Sequence, residues 1–270
     1  MLDCSPPALE GMTCSHAEYV AAIRDYYKFL VELFLDGFEI LEPLEGGWHD
    51  ITSETCGKSR VIIALLRDLP YIRERPDGKV INLTPVNRCS VGPVSCRAIA
   101  DGRETLEDAR IMTEPVVYLD NVPECVVGLV ESKYDYGKFL LDTQLGVIYW
   151  AEGYNEIVKD KIFEPYDEID LYSEYEELEA EWRSAETPFA IREFFETLKE
   201  QYRKMNWIPL SSRLVVEYDR PGLCVQGEEK ALDEVRSVYK EHGWPDLERY
   251  EKVKCLKAVR LVLEKWGIKP

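Results

Sequence analysis

Three stretches of this 270-residue chain bring together side chains with the means to do chemistry. The first is Glu42–Asp50, EPLEGGWHD. Gly46 and Gly47 allow backbone shapes closed to other residues. An aromatic (Trp48), a base that titrates near neutral pH (His49) and a carboxylate able to orient it (Asp50) follow at once. Such a loop suits general acid–base work; the same residues also make an ordinary turn around an inward-facing Trp. The second stretch is Asn87–Cys96, where Cys89 and Ser90 lie close to Gly92. A Ser or Cys becomes a nucleophile only with a base at hand. No His is near in sequence, so Cys89 and Ser90 need His49 brought to them by the fold. The alternative is a pair of buried, inert cysteines. The third is Glu164–Glu181, with nine carboxylates and no Lys or Arg. Paired carboxylates suit a guanidinium or ammonium group, and Tyr166, Asp167, Glu168 and Asp170 are the densest part; the competing reading is a solvated acidic face.

The formal net charge of −18 narrows the partners. A field of that sign repels phosphate backbones, which argues against general nucleic-acid or anionic-membrane binding and favours cationic partners. The charge is uneven, because Glu248–Lys265 holds six basic residues against three acids and leaves room for a local basic face. The eight cysteines include no CxxC pair, and His16, His49 and His242 stand apart from them. Zinc sites and redox dithiols need close spacing, so no metal is expected and the thiols are expected free and buried. The chain has no apolar run of membrane-spanning length and begins without a basic n-region or apolar h-region, which predicts a cytoplasmic protein. There is no P-loop, GxGxxG, GxSxG, HExxH or kinase signature. No cofactor is expected, and the substrates of an enzyme built on this chain would arrive already activated.

The elements that must position these residues follow from periodicity. Residues 125–151 are the densest in strand formers. Cys125–Glu131, Phe139–Leu141 and Val147–Trp150 read as an antiparallel meander, with turns at Lys133–Gly137 and Asp142–Gly146. A capping box at Ser15–Glu18 opens a helix whose stripe is Tyr19, Ile23, Tyr26, Tyr27, Leu30, Phe34 and Leu35, ended by Gly37. A second helix over Lys58–Asp68 turns Val61, Ile62, Leu65, Leu66 and Leu69 inward and stops at Pro70. Thr187–Pro188 reads as the start of a helix carrying Ile191, Phe194, Phe195, Leu198 and Tyr202, with Asn206 at its C-terminal cap. Strands at Trp207–Leu210 and Leu214–Tyr218 come next, then a helix on Leu232, Val235, Val238 and Tyr239. Trp244-Pro245-Asp246 opens a last helix with Tyr250, Val253, Leu256, Val259, Leu263 and Trp266 on its inner face. The whole predicts a flexible 1–14 followed by one α+β domain over 15–270, a central antiparallel sheet packed by helices.

Six stretches carry a resemblance: YVAAIRDYYKFL at 19–30, EGGW at 45–48, ALLRDLPYI at 64–72, FLLDTQLGVIYW at 139–150, TPFAIREFFETLKEQYRKMNWIP at 187–209 and HGWPDLERY at 242–250. In this order they resemble the fungal arginine-containing cyclodipeptide synthases. The resemblance implies condensation of arginyl-tRNA with a second aminoacyl-tRNA, without ATP, to an arginine-containing diketopiperazine of secondary metabolism. It supplies no motif that fixes a catalytic residue, so the roles rest on the residues themselves. In that reaction His49 is the base, Asp50 its orienter, and Ser90 or Cys89 the nucleophile. Asp167, Glu168 and Asp170 hold the guanidinium with Tyr166 beside it, and Lys254, Lys257 and Arg260 meet tRNA. A second resemblance, of the meander and its Leu-Asp-Thr…Gly turn, is to the SMI1/KNR4-like domains and implies a protein-interaction module without catalysis.

Overall fold

The strand-rich stretch is an antiparallel sheet in the computed structural model, which describes residues 16–73, 105–114, 122–129, 138–151, 188–212, 214–218 and 226–269. Strands β3 (Val126–Gly128), β4 (Lys138–Asp142), β5 (Val147–Ala151) and β6 (Pro188–Ala190) pair in that order. Alternation divides their side chains between two cores. Val126, Leu140, Val147 and Tyr149 join Val122, Cys125 and Leu145 on one face. Val127, Phe139, Leu141, Ile148 and Trp150 enter the larger core on the other. Burial on both faces explains why these strands read as continuous apolar runs. Asp142 fixes the β4–β5 turn: its Oδ1 accepts from the backbone N–H of Gln144 (2.9 Å) and Leu145 (3.0 Å), and Gly146 takes φ +72°.

The fourth strand corrects the reading of Thr187–Pro188 as a helix start. Phe189 pairs with Ile148 and its side chain is buried, so 188–190 extend the sheet as an edge strand, where a proline loses no ladder bond that matters. The helix α5 begins only at Ile191 and runs to Arg203. It packs on α1 (His16–Leu33), with the Tyr26 and Phe195 rings 5.2 Å apart. Lys199 crosses this contact, bonding Asp25 of α1 and Glu196 of its own helix (2.7 Å). Past α5, Met205 and not Asn206 takes the left-handed conformation.

Two further short strands, β1 (Ile40–Leu41) and β2 (Tyr71–Ile72), pair with each other; two residues are too few to show alternation in sequence. Between them lie α2 (Ser53–Cys56) and α3 (Arg60–Asp68). Ser59 caps α3 by accepting from Ile62 N–H. Val61, expected inward, is 62% exposed, because the burying arc of this short helix takes only Ile62, Ile63, Leu65 and Leu66. Helix α4 spans Leu106–Thr113.

The C-terminal part holds β7 (Trp207–Ser211), β8 (Leu214–Glu217), α6 (Glu228–Glu241) and α7 (Lys252–Lys265). The last helix starts later than expected, since 243–251 wind into turns around Asp246. Its register puts Cys255, Val259, Val262 and Leu263 inward and leaves Val253 81% exposed, against expectation. Lys252 Nζ donates to Val31 O and Leu35 O (both 2.7 Å), and Tyr250 OH to Leu33 O (2.9 Å), so α7 caps the C-terminal end of α1. One apolar cluster runs from Tyr19 through the sheet to Ile268, and the fold is α+β.

The thiol expectation holds at Cys125 and Cys255, which are free and buried; burial pushes the Cys255 thiol up to about 11. It fails at Cys56, which is disulfide-bonded. Bonding depends on which distant cysteines folding brings together, which spacing does not record. No helix among the described residues is long and apolar enough to cross a membrane.

Candidate functional site

The glycine-lipped loop and the end of α3 form one unit. Pro70 stops α3 and leaves the carbonyls of its last turn without helical partners. The loop supplies them: Trp48 N–H donates to Arg67 O (3.0 Å), and the Trp48 indole N–H to Leu69 O (2.8 Å). This requires an approach only glycine allows. Gly47 has φ +78°, and a Cβ there would lie 2.7 Å from Arg67 O. Arg67 closes the unit by donating from Nη2 to Gly46 O and to His49 Nδ1 (both 3.2 Å). Trp48 packs on Tyr71, ring to ring at 5.7 Å.

His49 and Asp50 are both exposed. A guanidinium only donates, so the bond from Arg67 occupies the Nδ1 lone pair and puts the proton of the neutral ring on Nε2. In this state His49 presents a donor, and it acts as a base only after Arg67 lets go. Its neighbour is Arg67 and not Asp50, so the base–orienter pair is not assembled here. Cys89, Ser90, Tyr166, Asp167, Glu168 and Asp170 lie outside the described residues.

Behind Tyr71 the chain forms an apolar recess. Ile23 and Tyr27 reach it from α1, Leu69, Pro70 and Tyr71 from the end of α3 and β2, Leu129 and Phe139 from the sheet, and Phe194 and Phe195 from α5. The room it leaves for water-sized groups is about 20 Å³, within a partly open space of about 340 Å³. The Tyr71 hydroxyl donates to Leu66 O, and burial raises its pKa well above the ordinary 10.0, with Asp68 adding to the effect, so this phenol stays protonated. Trp150, buried to 2% exposure, stacks edge-on against Phe139 at 5.0 Å; its indole N–H has no acceptor among the described residues.

On α7, Lys254 pairs with Glu251 (2.5 Å) and Arg260 with Glu264 (3.0 Å), while Lys257 is exposed with no carboxylate in ion-pair range among the described residues. The expected basic face is therefore largely neutralised by its own helix. A cluster that spacing did not reveal joins α4 to the start of α3: Lys58 Nζ lies 2.5 Å from Glu114, which also accepts from Arg110 Nε at 2.9 Å. Burial pushes the Lys58 ammonium below its ordinary 10.5, and Glu114 offsets part of that. No three His, Cys, Asp or Glu side chains come together as metal ligands among the described residues.

No family model, curated protein or solved structure matches this chain.

Proposed function

We propose that the protein is a tRNA-dependent cyclodipeptide synthase that joins arginine to a second amino acid, taking both from aminoacyl-tRNAs and needing neither ATP nor another cofactor. The observation that carries this reading is convergence. Four of the six stretches that resemble the fungal arginine-containing synthases line one recess, through Ile23 and Tyr27, Leu69 to Tyr71, Phe139, and Phe194 and Phe195. A fifth, EGGW, is pinned behind Tyr71 by three hydrogen bonds between the loop and α3. Segments up to about 170 residues apart in the chain thus meet at one place, as substrate sites built from several elements do. Peptide-bond formation from an ester needs orientation and proton transfer more than an energy source. His49, once released by Arg67, and Asp50 serve the proton transfer, with Ser90 or Cys89 as acceptor of the first aminoacyl group. Asp167, Glu168 and Asp170, beside Tyr166, hold the guanidinium. Lys257, then Lys254 and Arg260, meet the tRNA backbone, in competition with Glu251 and Glu264. Aminoacyl-tRNA is a cytoplasmic substrate, which puts the activity there.

The test is expression in bacteria fed ¹³C-labelled arginine, with mass spectrometry of the medium. A new diketopiperazine carrying the label is expected, and its yield is expected to fall about a hundredfold or more in His49→Ala, the low end of what general acid–base groups contribute, about 10²–10⁴-fold. A medium without any labelled product from well-expressed, folded chain overturns the reading. Full yield from His49→Ala removes His49 alone. The interaction-module reading draws on a different observation, the Asp142-centred turn within a sheet buried on both faces. It becomes the better one if amino-acid pools stay unchanged.

A further inference from the structure

We infer that the recess between α1, the sheet and α5 takes the side chain of the second amino acid, and that this side chain is short and aliphatic. The inference rests on the synthase reading for the reaction, but its chemistry is fixed by the recess. Among the described lining residues there is no Asp, Glu, Lys or Arg. A guanidinium placed there would lose its water with no carboxylate in return, a cost that keeps unpaired charges out of protein interiors. Arginine is thereby excluded, and the partner residue is the one left to fill the space. Size then decides among apolar side chains. One water-sized group needs roughly 10–15 Å³ of such volume. The recess offers about 20 Å³ of it inside a partly open space, so only a side chain of a few carbons fits. An alanine, proline or valine side chain enters; an aromatic ring meets Phe139, Phe194 and Phe195, already packed edge to face with centroids 4.7 and 5.3 Å apart. Tyr71 offers no free hydroxyl proton, because Leu66 O takes it, so a polar partner such as Ser or Asn finds no donor in that side chain.

The experiment compares the wild-type chain with Phe195→Leu, which enlarges the recess, and Ile23→Phe, which fills it. Circular dichroism checks the folding of each, and Ile23→Val serves as a milder enlargement if Phe195→Leu does not fold. Two readouts are used: the ratio of labelled diketopiperazines carrying leucine or isoleucine to those carrying alanine, proline or valine, and saturation-transfer NMR with L-valinamide, L-phenylalaninamide and L-argininamide. The expected result is short aliphatic partners in the wild type and a ratio about tenfold higher in Phe195→Leu, the scale at which one methylene is discriminated in an apolar pocket. Saturation of the valinamide methyl groups is expected, and its loss in Ile23→Phe. Labelled products with aromatic or charged partners, at a ratio that Phe195→Leu leaves unchanged, overturn the recess and spare the synthase. Valinamide binding lost in Ile23→Phe, with no diketopiperazine in any culture, keeps the aliphatic site and overturns the synthase. Absence of both signals overturns both.

Discussion

At the scale of single residues, the Lys58–Glu114–Arg110 cluster shows how costly a charge becomes once it is folded inside. Glu114 is 1% exposed and Lys58 7%. Their attraction offsets the loss of hydration only while both are present. Lys58→Met is expected to destabilise the protein by about 3 kcal/mol, since the buried Glu114 loses the ammonium that faces it. The double variant Lys58→Met, Glu114→Leu is expected to recover most of that loss. Urea unfolding curves of the three proteins at neutral pH measure it; a double variant as unstable as the single one would show that the pair stabilises beyond its own burial. None of this was legible in the sequence, where Lys58, Arg110 and Glu114 are ordinary surface-type residues 52 to 56 positions apart on two unrelated segments.

At the scale of elements, glycine conformation decides whether the loop can reach α3. Gly47→Ala adds a Cβ that meets the Arg67 backbone and forces a residue with a side chain to φ +78°. Gly267, at φ +70° with nothing within 4 Å of an added Cβ, carries the conformational cost without the clash. Gly267→Ala is expected to cost about 1 kcal/mol and Gly47→Ala clearly more. The larger loss would come with a red shift of tryptophan emission as Trp48 leaves Leu69 and Tyr71. Equal melting temperatures for the two variants would show that the loop gives way without cost. The Gly-Gly pair was legible as a loop, and Trp48 as its inward residue. The element that receives it was not, because the partners are backbone carbonyls, which every residue has.

At the scale of the whole molecule, the acid limb of stability follows from carboxylates held below their ordinary 4.5. Hydrogen bonds from Lys265 and Trp266 lower Glu234, and one from Lys254 lowers Glu251. At Glu196, burial works the other way but is outweighed by hydrogen bonds from Lys199 and Arg203. A carboxylate with a lowered folded pKa is protonated first in the unfolded chain. Its stabilisation is complete above 4.5 and disappears as pH falls through the folded value. The melting temperature is therefore expected to hold from neutral pH to about pH 5 and to fall below it. Glu196→Gln is expected to flatten that fall. A melting temperature that rises on acidification would mean that relief of the −18 self-repulsion dominates instead.

The sequence by itself determined the local features whose cause is local. Runs of strand formers bounded by turn residues in 139–150 set the meander, the 3.6-residue stripe set α1, Pro70 ended α3, and Asp142 with Gly146 set a turn. Each depends on sterics and hydrogen bonds within a few residues. Tertiary structure decided what depends on distant partners. It drew Pro188–Ala190 into the sheet because β5 had a free edge. It turned Val61 and Val253 outward because the neighbouring elements cover a narrower arc than the apolar stripe. It bonded Cys56, gave His49 to Arg67 instead of Asp50, and folded four distant segments around one apolar recess. Burial and contact are properties of pairs far apart in the chain, and no spacing along the sequence encodes the distance between them.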